Sequence, residues 1–354
     1  MKNFPARLKA ARLMNGFSMQ DLENEVNKEI TKQAIGRYEK GLMQPTSTNL
    51  SLLCRALKVK PDYFTREKTV TIEKVNFRKL QRLPIKKQEE IKQRTADYLE
   101  RYLEIEEILN LGSRFVNPFD GKEIKTEAEV ESAAIKLREA WNLGENPLFN
   151  VVETIEENGI KVLELDTDAA FSGMSVELDD GERIIVLNKQ ETISIERKRF
   201  TALHEVAHQL LKFAVLHDDP KLQEKWEEKM CHYFAGAVLL PANSLRNELG
   251  KKRYQIHIRE LKLLKEQYGI SMQAILFRAK NLDIINDYHL KQQMITFNRL
   301  GYRKNEPGEF CGQEHSNRFL QLILRGIAEE IITTSKAAAL YNVRLAEFRK
   351  ELHA

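Results

Sequence analysis

His204-Glu205-Val206-Ala207-His208 constrains this chain more than any other stretch, because it asks for a helix and for a water-poor setting at once. On an α-helix His204 and His208 stand one turn apart on one face. Both imidazoles can therefore reach one metal ion, with Glu205 beside them to activate a metal-bound water. Phe200, Leu203, Val206, Ala207, Leu210 and Leu211 make the surrounding helix largely apolar. Imidazole and carboxylate groups are costly to bury there unless they are coordinated or hydrogen-bonded. Two solvated histidines, the plainer reading, would not need such a setting. Catalytic zinc normally takes three protein ligands, so a third must come from elsewhere in the chain.

The remaining residues limit what that helix can serve. A chain of 354 residues has room for two or three domains and a sizeable core. No run approaches the ~18 apolar residues of a membrane span, and the charged amphipathic start is unlike a signal peptide, so a cytoplasmic protein without a membrane partner is expected. Cys54, Cys231 and Cys311 form no Cys-x-x-Cys pair and read as small buried hydrophobes. The net charge of +4 is unevenly spread: residues 1–66 carry 12 Lys and Arg against 6 Asp and Glu. A basic excess on a small module suits a phosphate-binding surface.

That module reads as short helices. Phe4, Leu8 and Ala11 lie on a first helix ending near Asn15-Gly16. Ser18 caps a second, with Asp21 completing a capping box. Thr31 caps a third, in which Ile35 and Tyr38 face inward, Lys32, Gln33, Gly36 and Arg37 face out, and Gly41 is the stop. Ser47 or Thr48 is expected to cap a fourth through Leu57, and Pro61-Asp62-Tyr63-Phe64 fits a short fifth. Through Arg37-Tyr38-Glu39-Lys40-Gly41, Pro45, Leu50 and Pro61-Asp62-Tyr63-Phe64 the segment resembles the phage-repressor-like (XRE) helix-turn-helix family. The resemblance implies double-stranded operator DNA as partner, the third helix in the major groove, and Thr31, Lys32, Gln33 and Arg37 as DNA-contact residues.

Beyond Phe64, Thr69-Val70-Thr71-Ile72 reads as a short strand or extended linker, followed by Phe77-Arg78-Lys79. Ile85 to Leu111 is one long amphipathic helix, with Ile91, Leu99, Tyr102, Ile105 and Leu109 on its stripe. That stripe packs on its own chain or forms a homodimer contact. Glu127 to Trp141 is helical, and Pro147 is expected to open a further helix through Ile155. Ile160–Leu165, Phe171–Leu178 and Arg183–Leu187 alternate as strands, with Asp179-Asp180-Gly181 as a hairpin turn.

Downstream, Glu227 to Pro241 forms a second helix. Glu228 and His232 lie one turn apart there, so Glu228 can supply the third ligand with His232 supporting it, while Glu227 competes for the same role. His204-Glu205-Val206-Ala207-His208, the preceding Arg199-Phe200-Thr201, and Glu228-x-x-Cys231-His232-x-Phe234-Ala235 with Leu239-Leu240-Pro241 resemble the ImmA/IrrE family of bacterial metallopeptidases. The resemblance implies Zn2+ as cofactor, His204, His208 and Glu228 as its ligands, Glu205 as general base and a repressor-type protein as substrate. His232 stands where the family usually has Asn or Asp. His217, Tyr233 and Arg199 are candidates for an additional oxyanion donor.

The expected architecture is multidomain and mainly α. A five-helix helix-turn-helix domain occupies residues 1–66, and a linker with the long helix follows over 67–111. An α+β, zincin-like metallopeptidase domain with a small, mostly antiparallel sheet covers 112–249. A helical regulatory region, with a helix-turn-helix-like pair around Gly269 and Ser271, covers 250–354. The function expected is transcriptional regulation by operator binding, joined to zinc-dependent proteolysis. The alternative is a DNA-binding sensor whose peptidase-like domain binds a ligand or partner without cutting.

Overall fold

The structure, a computed structural model, describes residues 2–67, 70, 72, 83–112, 115–119, 121–178, 181–303 and 305–352. The chain divides into two compact units, Met1–Gly112 with Phe319–Ala354, and Ser113–Arg318. The 250–354 stretch is thus shared between them. Phe77–Lys79 and most of the 69–72 segment lie outside the described residues, as do Asp179 and Asp180.

In the first unit, α1 (Phe4–Met14), α2 (Met19–Glu25), α3 (Lys32–Glu39), α4 (Ser47–Leu57) and a 3-10 turn at Pro61–Phe64 enclose one core. Phe4, Leu8, Leu22, Ile35, Tyr38, Leu53 and Phe64 are its buried members. Phe4 sits 5.2 Å from Phe64 and 6.1 Å from Tyr38, ring to ring. The Ser18–Asp21 capping box and the Thr31 cap form as expected. The fourth helix is capped one residue earlier than expected, by Thr46, whose hydroxyl accepts from the Asn49 amide. Its Ser47 and Thr48 already lie inside the helix. Arg12 joins α1 to α3 by donating Nε and Nη2 to the two oxygens of Glu39 at 2.6 and 3.0 Å. Glu39 of the Arg-Tyr-Glu-Lys-Gly stretch is therefore a strut of the fold, and Gly41 beyond it takes a φ of +71° that suits glycine.

The long helix, α5 (Ile85–Ile108), packs on α1, where Arg7 donates to Glu100 at 2.6 Å.

The second unit opens with β1 (Glu123–Ile124) and α6 (Glu127–Ala140), which begins on a Thr126–Glu129 capping box. The next helix, α7 (Val151–Glu157), starts later than Pro147 predicts: Asn150 is its cap, accepting from the Glu153 amide. Three strands follow, β2 (Lys161–Leu165), β3 (Gly173–Glu177) and β4 (Arg183–Asn188), in the order β2-β4-β3. The mostly antiparallel sheet is in fact mixed. β3 and β4 pair antiparallel, with Ser175 opposite Ile185. The 166–172 connection lets the chain cross, so β2 lies on the far side of β4 and runs parallel to it. Then come α8 (Ile195–Leu210), β5 (Lys212–Phe213), which pairs with β1, and α9 (Pro220–Leu239). α10 (Ala242–Leu249), α11 (Ile258–Tyr268), α12 (Met272–Asn281) and α13 (Asp287–Arg299) complete the unit. Its large core cluster runs from Ile124 to Phe297, and Leu163, Phe171, Met174, Val176, Ile184 and Val186 are buried outside it.

The chain then returns to the first unit as α14 (Arg318–Ala328), α15 (Thr334–Leu340) and α16 (Leu345–Glu351). Phe319, Leu322, Ile323, Leu340 and Phe348 cover Tyr102, Ile105 and Leu109 of α5. Tyr102 and Phe319 stack at 5.1 Å, and Arg101 donates to the Leu340 carbonyl at 2.6 Å. The apolar stripe of the long helix thus finds its partner within its own chain. Among the described residues, no helix is long and apolar enough to cross a membrane.

Candidate metal centre

α8 and α9 carry the site, and local sequence fixes both. Ser194 caps α8 by accepting from the Arg197 amide, and Asp219 and Pro220 start α9 seven residues before Glu227. α9 packs between α8 and α6. The sheet holds α8 from the other side. A Cβ at Gly173 of β3 would lie 2.8 Å from the Thr201 methyl, so only glycine allows that approach. Two turns further along α8, Gln209 donates to the carbonyls of Val176 and Ile184 at 3.1 and 3.0 Å, one on each of β3 and β4.

With the helix locked this way, the predicted residues converge. The Nε2 atoms of His204 and His208 are 3.1 Å apart, and Glu228 brings its two carboxylate oxygens to 3.2 and 3.0 Å from them. Donor atoms on a tetrahedral zinc at ~2.0–2.1 Å are about 3.3 Å apart, so the three side chains lie at about the spacing such an ion needs. Two imidazoles and a carboxylate are also the donor chemistry that zinc takes. Glu227, the competing acid, instead accepts from Gln223 at 2.9 Å. Gln223 holds the loop before α9 by donating to the Ala214 carbonyl and accepting from the amides of Leu216 and His217.

His232 is closer to the centre than a supporting role requires. It offers a ligand atom within 4.8 Å of those of His204 and Glu228, and its ring lies 4.5 Å from that of His204. Its Nδ1 is 2.6 Å from the Glu228 main-chain oxygen. A carbonyl only accepts, so Nδ1 is the donor in this contact and Nε2 is the ring nitrogen left to face the cluster. Four side chains can therefore contribute to a metal here, with His204, His208 and Glu228 the tightest set.

Glu205 is only 1% exposed, and Ser175 of β3 donates to its Oε2 at 3.2 Å. Of the three cysteines expected as small buried hydrophobes, Cys231 is buried and sets its Sγ 3.5 Å from Nδ1 of His208, whereas Cys54 is half-buried and Cys311 exposed. Nothing in the sequence marks either contact, since each joins two elements at no fixed spacing.

Arg199, a candidate oxyanion donor, is committed elsewhere. It is fully buried, pairs with Glu314 at 2.7 Å, and donates to the carbonyls of Leu148 at 2.7 Å and Gly269 at 3.0 Å. Glu314 in turn accepts from the Val151 and Val152 amides at the start of α7. Burial pulls the Arg199 pKa down and pushes that of Glu314 up, the mutual attraction only partly opposing it. This is a clamp joining α8, α7 and the 306–318 segment. Tyr233 and His217 do line the cleft beside the cluster. Burial, with Glu131 nearby, raises the Tyr233 hydroxyl to about 12. That cleft, about 1470 Å³, runs past Glu228 and His232 between α8, α9, α12 and the 305–310 segment.

In the other unit, Thr31, Lys32, Gln33 and Arg37 are all exposed on one side of α3, while Ile35 and Tyr38 are buried. The Thr31 hydroxyl is already engaged in capping the Ala34 amide.

Residues 155–280 match the family model for the IrrE N-terminal-like domain of peptidase family M78, and residues 8–64 match the helix-turn-helix model. The chain joins a helix-turn-helix unit to an IrrE-like domain. Among solved structures it is similar to a Mycobacterium tuberculosis transcriptional regulator, at 13% identity and a TM-score of 0.33. That match covers 51% of this chain, and the chain spans about half (51%) of that protein's length. No curated protein sequence matches the chain.

Proposed function

We propose that this protein is a DNA-binding regulator whose IrrE-like domain is a zinc-dependent endopeptidase acting on a repressor-type protein. The observation carrying the reading is the convergence of His204, His208 and Glu228 donor atoms at 3.0–3.2 Å with a buried glutamate at the next position. His204, His208 and Glu228 would hold the ion. Bound there, zinc supplies Lewis-acid polarisation of a peptide carbonyl and acidifies water. Glu205 takes the proton of the attacking water and returns it to the leaving amine. Ser175 orients that carboxylate through its hydrogen bond. β3, at the sheet edge and packed on α8, is the strand against which an extended substrate would lie. A purely structural metal site has no use for Glu205.

In the helix-turn-helix unit, Lys32 and Arg37 would take guanine acceptors and Gln33 adenine, with Thr31 at the helix start near the phosphates. Both units on one chain support a repressor-type substrate, since regulator and target would then share an operator.

Metal analysis of the purified protein, paired with cleavage of co-expressed repressors, tests the reading. Glu205→Gln should keep zinc and lose cleavage. A zinc-free protein, or a Glu205→Gln variant that cuts like the parent, would falsify it. One observation favours the second reading, a sensor that does not cut: His232 is near enough to close the metal's open position. In that case Glu205→Gln would leave the regulatory response unchanged.

A further inference from the structure

Resting on the peptidase reading, we propose that the 305–313 segment is a strap that gates the metal cleft, lifting about an anchor at Glu314 to admit a polypeptide chain. In its seated position it forms one wall: Asn305, Glu306, Gly308, Glu309 and Phe310 line the same cleft as Glu228 and His232.

Two carboxylates fasten the strap by one device. Ser271 caps α12 by accepting from the Ala274 amide, and Glu306 takes the two amides before it, those of Met272 and Gln273, at 2.7 and 3.0 Å. Asn150 caps α7 in the same way, and Glu314 takes the amides of Val151 and Val152 at 3.2 and 2.6 Å. The anchors differ in strength. The Glu314 side chain is 2% exposed and pairs with Arg199 at 2.7 Å, while Lys198 and Asn150 donate to the carbonyls of Glu314 and His315. Glu306 has only Lys265 as counter-ion, 3.7 Å away and shared with Glu196 at 3.5 Å. Charge-assisted bonds weaken with distance, so the Glu306 end releases first and Glu314 serves as the hinge.

Little apolar surface holds the stretch between them. Among the described residues of 305–316 Glu314 alone is buried, and the large apolar core includes none of them. Phe310 is half-buried, its ring 4.4 Å from the Arg199 guanidinium. Lifting 305–313 therefore hands a carboxylate and two helix-start amides to water, which satisfies them, and leaves the core covered. With the strap seated, the Glu228 side chain is still 35% exposed, so a small zinc-binding group reaches the site. A chain continuing to both sides of the scissile bond needs the wall to move.

The test uses the zinc-loaded full-length protein and two probes, acetohydroxamate and an alanine-based phosphinic peptide that extends to both sides of its zinc-binding group, with binding measured by calorimetry. Apparent affinity for the peptide scales with the fraction of open strap, so Glu306→Ala should tighten it about tenfold and leave acetohydroxamate unchanged. A Cβ at Gly308 lies 2.8 Å from Lys262 Cγ, within reach of a disulfide. Gly308→Cys with Lys262→Cys, in a Cys311→Ser background, should therefore weaken the peptide about tenfold until the bond is reduced. The two changes act in opposite directions, so either one is decisive if the other fails to fold or to cross-link. Peptide binding that follows neither, or acetohydroxamate binding that shifts in step with it, overturns the strap. Failure of the parent to bind acetohydroxamate overturns the metal reading instead, so the two failures are distinguishable.

Discussion

α3 and α8, the helices to which the two proposed functions are assigned, are built in opposite ways. α3 exposes the side chains proposed to meet DNA, and it is held by its Thr31 cap, its two inward residues and the Arg12–Glu39 pair. α8 buries its functional groups and borrows support from β3, β4, α9 and the 306–318 segment. A polar group facing water needs only a scaffold, whereas one withdrawn from water needs a partner for every donor and acceptor. The contrast therefore concerns where each function can be damaged: near its own residues in α3, and far from them in α8.

The sharpest way to break that contrast is to cut a remote support. Arg199→Ala strands the Glu314 carboxylate in the core and should cost about 3–5 kcal/mol of stability in the IrrE-like unit, read by denaturant unfolding, while operator affinity stays unchanged. An equal loss of DNA binding would show the two functions to be coupled.

Next in size is an effect of pH. Glu156 is buried, accepts from the Val162 amide at 3.0 Å, and burial raises its pKa from 4.5 to about 7. Because the folded value is the higher one, its stabilising contribution is complete below pH 4.5 and is lost as pH rises through 7. The change is about 3 kcal/mol. Glu156→Gln should flatten that slope in pH-dependent unfolding; an unchanged slope would point to another group.

On the exposed helix, Arg37→Ala should lower discrimination between operators by about 1–3 kcal/mol and leave stability within ~0.5 kcal/mol. A marked fall in melting temperature would mean that α3 is less self-sufficient than described.

The smallest effect is expected at Cys231. Its thiol faces the ring nitrogen of His208 turned away from the cluster, so Cys231→Ala should weaken zinc binding about tenfold in a chelator competition and Cys231→Ser should restore most of it.

What the sequence disclosed follows the same division. The Ser18–Asp21 box, the Thr31 cap and the inward Ile35 and Tyr38 are written at short spacing and were legible, as was the His204-Glu205-x-x-His208 pattern. Errors of one or a few residues came where two signals compete: Thr46 against Ser47 and Thr48, Asn150 against Pro147. The parallel pairing of β2 with β4 was not legible, because alternation fixes which face of a strand is buried and not which neighbour it takes. Glu314 lies in a loop without periodicity, more than a hundred residues beyond Arg199. The Ser175 and Cys231 contacts depend on how β3 and α9 pack on α8, which spacing along the chain does not encode.

The return of α14–α16 onto α5 bears on the order in which the protein is made. Translation delivers the helix-turn-helix segment and α5 first, yet Phe319, Leu340 and Phe348, which cover Tyr102 and Ile105, leave the ribosome only after the whole IrrE-like unit. A nascent chain therefore carries a greasy, uncovered helix beside its nucleic-acid module throughout synthesis of the domain in between, and a truncation before residue 319 would leave that helix bare for chaperones or proteases.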